Sequence, residues 1–184
     1  MKRFLALSVL ALALGACSDT QKTDGKVSEV IGISVSEDKG VIKVTSTVDK
    51  NGSKIKAEFV LTNYGVRTPL GQNPNTGAYV TIENKGKTDD RLVSASCACA
   101  ARTELHTMSM SDGQMSMSAV PEGFEIKAGE KLVLAPGGNH IMLFDLTTRP
   151  AEGATQKVTL VFEKAGEITI DMPVSMTPAA PAGH

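Results

Sequence analysis

With 184 residues, 41% of them hydrophobic and 21% charged, the chain has the length and apolar content for one globular core. A net charge of -1, an aromatic content of 4% and no Trp exclude the basic, ring-lined surface that nucleic acid would need.

The chain opens with a basic start, Met1-Lys2-Arg3, then an apolar run from Phe4 to Leu14 and the cleavage context Leu14-Gly15-Ala16-Cys17, which together read as an export signal. At about 1.5 Å of rise per residue, the run is too short for a permanent helix across a roughly 30 Å hydrocarbon layer. Leu14 is a poor residue three positions before a cut after Ala16, and LGAC resembles the bacterial lipoprotein signal, in which the cysteine is lipidated and becomes the new N-terminus. Residues 1–16 are therefore expected to be a lipoprotein signal peptide and Cys17 the lipidation site. A soluble exported protein with an unmodified thiol is the alternative. Residues 17–28 are polar and aperiodic, as a lipid-anchored tether would be.

From Glu29 onward, short runs of alternating apolar and polar residues follow one another: EVIGISVSED, GVIKVTSTV and KIKAEFVLTNYGV, divided by Asp38-Lys39-Gly40 and Asp49-Lys50-Asn51-Gly52. After the Pro/Gly/Asn loop TPLGQNPNTG come AYVTIEN, LVSASC, a His/Met segment, FEIKAG, KLVLAPGG, HIMLFDL, QKVTLVFEKAG and EITIDMPV. Strand-length runs with Gly, Pro and Asp between them predict an all-β sandwich or barrel with no long helix. TPAAPAGH, residues 177–184, reads as a disordered tail.

The segment ELHTMSMSDGQMSMSAV places His106, Met108, Met110, Met115 and Met117 within a dozen residues, the methionines alternating with Ser and Thr. Methionine specifies packing poorly, so cores use it sparingly. A two-residue turn at Asp112-Gly113 would set Met110 opposite Met115, Met108 opposite Met117 and His106 opposite Ala119, all on one face. In APGGNHIMLFDL, His140 and Met142 are two residues apart and so share a strand face. Taken singly, each methionine reads as core and each histidine as structural or surface. Together they offer two imidazoles and several thioethers, a soft and uncharged set that selects Cu(I) over hard cations and over Zn(II).

Cys97 and Cys99 leave several readings open: a local disulfide, a pair between molecules, or a second Cu(I) site. If the strand runs on, both sulfurs point away from the face that carries His106. A thioredoxin-like motif would need two residues between the cysteines, and only Ala98 stands there. A blue-copper electron-transfer site would need a cysteine beside His140 and Met142, and none is near in sequence. His184 at the chain end reads as incidental.

These segments together resemble the periplasmic copper chaperones of the PCu(A)C type, whose motif is H(M)-x10-M-x21-H-x-M. The resemblance runs from Tyr64 to Met176 and includes GAYVTIENKGKTDDRLVSAS, AGEKLVLAPGG and FEKAGEITIDMPV. Its motif falls on His106, Met117, His140 and Met142, with twenty-two residues between Met117 and His140 where the family has twenty-one, and with Thr107 where the family can have Met. These departures make Met108 and Met115 competitors for a coordination position.

The resemblance implies a cupredoxin-like Greek-key β-sandwich over residues 64–176; the strand alternation before it, which the resemblance does not reach, predicts a short N-terminal β extension at 29–63. It implies one Cu(I) bound through His106, Met117, His140 and Met142, and the chain is expected to be a monomer and not an enzyme. Met108, Met110, Met115, Cys97 and Cys99 are candidates for accessory metal ligation, with a structural or redox pair equally open for the two cysteines. The implied role is delivery of copper toward cytochrome c oxidase assembly, to the dinuclear centre of subunit II or to another assembly factor, from a lipid anchor in the bacterial periplasm. The alternatives are a copper buffer for tolerance, a thiol-disulfide reductant acting through Cys97 and Cys99, and a purely structural sandwich.

Overall fold

Every alternating segment from Ser28 onward is a strand, and among the described residues there is no helix. The computed structural model describes residues 28–30, 33–48, 51, 54–111 and 113–178. The expected signal peptide, Cys17, the tether up to residue 27, Asp112 and the tail from residue 179, with His184, lie outside them. The strands are β1 (Ser28–Val30), β2 (Ile33–Asp38), β3 (Val41–Val48), β4 (Lys54–Arg67), β5 (Thr76–Asn84), β6 (Asp90–Cys97) and β7 (Ala100–Ser111). They continue as β8 (Gln114–Ala119), β9 (Phe124–Ile126), β10 (Lys131–Leu134), β11 (His140–Leu146), β12 (Thr155–Phe162) and β13 (Gly166–Ser175).

One sheet runs β8-β7-β11-β5-β4-β3-β2-β1, and β10 and β11 share the flank of β5, at residues 80–83 and 76–78 respectively. The other runs β9-β6-β12-β13. A short parallel contact of Val174 and Ser175 with Val66 and Arg67 joins them; every other pairing is antiparallel. Alternation decides what lies between the sheets: Ile168, Ile170, Met172 and Val174 of β13 are all buried while Glu167, Thr169 and Pro173 are not. Phe59 of β4 stacks on Phe162 of β12 with ring centroids 4.6 Å apart, the largest side chains of the core meeting across the layers.

Two backbone devices fix the registers. Lys39 and Gly40 both have positive φ, 49° and 75°, the geometry of a two-residue primed turn, so Asp38 pairs with Val41. In β4, Asn63 takes a φ of 50° at a bulge, where the register shifts between Thr62 and Gly65. Phe59 and Leu61 face the core before it and Tyr64 and Val66 after it, because the extra residue reverses the strand's phase.

The segment before Tyr64 is continuous with the sheet. β4 runs through that position, and β3 pairs with its first half so that Ile42 and Val44 are buried beside Leu61 and Phe59. These strands extend the sheet past β4, where β13 covers only its last residues.

Candidate metal centre

Leu105 of β7 and Ile141 and Leu143 of β11 belong to the core, so the alternate residues Glu104, His106 and Met108, and His140, Met142 and Phe144, face outward from the first sheet. His140 stands directly opposite His106, Met142 opposite Glu104 and Phe144 opposite Arg102. On the other flank of β7 the hairpin has the register read from its turn: His106 opposite Ala119, Met108 opposite Met117 and Met110 opposite Met115, with Gly113 at φ 77°. The two halves of the motif, separate in sequence, thus meet on one face of three neighbouring strands.

Outward facing does not leave the histidines in water. His106 is 6% and His140 8% exposed. The Thr68–Asn75 loop and Tyr79 border a half-open cavity of about 260 Å3, lined among others by Leu70, Asn73, Tyr79, Met108, Met117, His140 and Met142. Three of the four expected ligands line it. His106 is not among its lining residues; its ring lies 5.7 Å from that of His140 and 5.7 Å from that of Phe144.

Each imidazole is held so that one nitrogen is occupied and the other is left. His140 Nδ1 lies 3.0 Å from the Gly138 carbonyl, which can only accept, so Nδ1 carries the proton and Nε2 the lone pair. The tight Ala135–Asn139 loop, closed by Ala135 N–H to the Asn139 carbonyl at 2.7 Å, puts that carbonyl in place. His106 Nε2 lies 2.8 Å from Glu104 Oε2. The hydrogen bond from His106, and the paired Arg102 guanidinium, hold the Glu104 carboxyl below its ordinary range, so it stays ionised and accepts. In the neutral ring this puts the proton on Nε2 and the lone pair on Nδ1. His106 Nδ1 is the one buried side-chain nitrogen or oxygen without a hydrogen-bond partner among the described residues.

An orphaned buried polar atom is costly unless something else satisfies it. A metal ion would, and a ligating histidine whose second nitrogen is tied to a carboxylate or carbonyl is the usual second-layer arrangement. Burial also pushes the His140 imidazole below its ordinary value of 6.5, keeping it neutral. Among the described residues no group of three or more His, Cys, Asp or Glu is placed to hold a metal ion, and the soft donors that line the cavity beside His140 are the thioethers of Met108, Met117 and Met142. That set fits a soft, monovalent copper ion better than a hard cation.

Met108 lines the cavity beside Met117, and Met110 and Met115 lie farther out on the hairpin. Cys97 and Cys99 are not brought to it. They form a disulfide with each other at the turn between β6 and β7, both buried, some six residues of β7 away from His106. In that form, the local disulfide left open above, they offer no thiolate to a metal.

Three contributors were not singled out in the sequence. Glu104 was legible in principle, two residues before His106 and thus on its face. Gly77, paired with Met142, leaves room for the Tyr79 ring: a Cβ there would lie 2.7 Å from the Tyr79 hydroxyl. Arg149 donates to the carbonyls of Asn73 and Gly71 at 2.8 and 2.6 Å and so braces the rim loop across 76 residues of sequence; no local signal announces it.

Fold and site define an all-β, cupredoxin-like domain with a His/Met centre on the outer face at one end of a sheet. The chain belongs to the family described as "Putative lipoprotein LpqE-like", whose model matches residues 59–174. A curated relative, "Putative lipoprotein Lxx21020" of Leifsonia xyli, is 34% identical over 99 residues, 54% of this chain; the match spans 60% of that relative's length. Among solved structures, the copper-bound PCuAC domain from PmoF2 is similar, at 26% identity and a TM-score of 0.54, covering 64% of this chain and 92% of that one. The apo PCuAC domain from PmoF1 is 27% identical with the same TM-score and coverage. CuI-DR1885 from Deinococcus radiodurans is 28% identical with a TM-score of 0.53, covering 63% of this chain and 77% of its own. The PCu(A)C resemblance and the cupredoxin-like sandwich read from the sequence are thus found in the fold.

Proposed function

We propose that this chain is an extracytoplasmic copper carrier that holds one Cu(I) through His106, Met117, His140 and Met142 and passes it to a recipient protein. The observation that carries the reading is the buried, unpartnered Nδ1 of His106 beside a His140 whose Nε2 is also left with its lone pair. The copper-bound and CuI forms of similar domains support the choice of metal. An uncharged ligand set suits transfer, because imidazole and thioether can be exchanged one at a time against a recipient's ligands without separating charge. The recipient we infer is the dinuclear copper centre of cytochrome c oxidase subunit II or an assembly factor that serves it. The family's description as lipoproteins supports lipidation at Cys17 and a periplasmic, membrane-tethered location. Fatty-acid labelling that persists in Cys17→Ser would remove the anchor from this proposal.

An anaerobic Cu(I) competition titration tests the site. One equivalent bound by the wild type and lost in His106→Ala with His140→Ala is expected; retention of full affinity in that variant would overturn the assignment. Transfer is tested by mixing the loaded protein with apo subunit II: copper must move faster than it dissociates to a solvent chelator. Equal rates would leave a copper buffer as the better description. The thiol-reductant alternative finds little support in a cysteine pair that is already oxidised and buried.

A further inference from the structure

The hairpin formed by β7 and β8 runs outward from the cavity, which its inner residues Met108 and Met117 line. All six residues of β8 are exposed, and Met110, Met115 and Met117 are 73%, 57% and 45% exposed. Burial therefore does not explain Met110 and Met115, which share a face with Met108 and Met117 while Thr107, Ser109, Ser116 and Ser118 occupy the other. A hairpin in water needs no thioethers, and Leu, Val or Thr would serve its strands as well or better. Met is the least specifying of the apolar side chains, but it is the one that carries a soft donor atom.

The register arranges these sulfur-bearing side chains as two rungs. Met108 and Met117 form the inner rung, lining the cavity, and Met110 and Met115 the outer rung at the tip. Directly opposed residues have Cβ atoms roughly 4.5–5.5 Å apart, within the reach of two flexible thioethers for one ion. Successive rungs on one face are spaced by about 7 Å along the strands. The outer rung, the inner rung and the His106/His140 pair thus lie in one line from solvent to the buried imidazoles.

We infer that Met110 and Met115 form a second, solvent-facing Cu(I) site, from which the ion steps over Met108 and Met117 to the histidines and returns by the same path. The inference rests on Cu(I) binding at the histidine centre. Each step is a ligand exchange: a bond from copper to a sulfur of the next rung forms as one to the previous rung breaks. Copper stays monovalent, and the thioethers stay neutral, so no electron or proton moves. Because the tip is open and the histidines are buried, the outer rung is where an incoming or outgoing ion meets another protein's ligands first.

The test titrates the full-length chain, labelled with 13C at the methionine methyls, with Ag(I), a soft monovalent ion that keeps its oxidation state. The first equivalent is expected to move the Met117 and Met142 methyls and the imidazole signals, and a second, weaker equivalent to move Met110 and Met115 together. In Met110→Leu with Met115→Leu the second equivalent is lost and the first retained; Leu at these exposed positions leaves the fold intact. If the first equivalent binds and the Met110 and Met115 methyls stay unmoved, the outer site is overturned while the histidine centre stands. If the imidazole signals do not move at all, the copper-carrier reading fails and the ladder with it.

Discussion

The proton on His106 is placed by one carboxylate. Glu104 takes the Nε2 hydrogen at 2.8 Å and is itself paired with Arg102, whose guanidinium also lies 4.1 Å above the Phe144 ring. Removing an outer-layer partner of a ligating histidine typically weakens metal binding about 10- to 100-fold, and that loss is expected of Glu104→Ala in the Cu(I) competition titration. Glu104→Gln, whose amide oxygen still accepts, is expected to lose less. The pH dependence follows from His140. A protonated imidazole has no lone pair to give, and burial depresses this one below 6.5. Its neutral form is favoured in the folded state, so the group's contribution to stability is present above the unfolded value and is lost as pH falls through the depressed folded one. Copper affinity is accordingly expected to hold as pH drops past 6.5 and to fall only as pH passes the depressed folded value of His140, as a titration of apparent affinity against pH would record.

At the level of the element, the bulge in β4 and the rim loop decide how the site is framed. Asn63 has a φ of 50°, a conformation that Gly adopts freely and Asn tolerates, but a β-branched residue does not. Asn63→Val is expected to destabilise the fold by roughly 1–3 kcal/mol in denaturant unfolding, and Asn63→Gly by much less. Arg149 holds the rim loop through backbone carbonyls, with its exposed head and not through the core. Arg149→Ala is expected to speed copper exchange while leaving the unfolding midpoint nearly unchanged, since the cavity loses part of its cover and the sheets lose nothing. A hairpin such as β7–β8 was legible because its turn type and its period of two act locally. The rim was not: a loop of Pro, Gly and Asn announces only that the chain turns, and what it covers depends on an arginine far along the chain.

Taken as a whole molecule, stability and binding are separable, because the core lies between the sheets and the His/Met centre lies on the outer face of one of them. Phe162→Ala removes the ring that stacks on Phe59 and is expected to cost about 3–5 kcal/mol, with one copper equivalent still bound under conditions where the variant remains folded. The disulfide at the β6–β7 turn is likewise remote from the centre. By loop-closure entropy for so short a ring, Cys97→Ser with Cys99→Ser is expected to lower stability by roughly 1–2 kcal/mol and to leave the copper stoichiometry unchanged. A lost equivalent in that variant would return the thiols to the binding site.

Period-two alternation and Gly, Asn and Asp at the turns act over a few residues, and so the strands from β2 to β13 and the pairing of Met108 with Met117 could be read from the sequence alone. The same local logic put His140 and Met142 on one face. Only the tertiary structure decided that this face meets that of His106, because the contact of β7 with β11 joins segments more than thirty residues apart by backbone hydrogen bonds that carry no sequence signature. It also decided the state of each imidazole. Which nitrogen is left depends on a carbonyl at Gly138 and a carboxylate at Glu104 reaching the rings in space, and the depth that makes an unpartnered Nδ1 costly exists only once the rim loop and Tyr79 border the folded sheet.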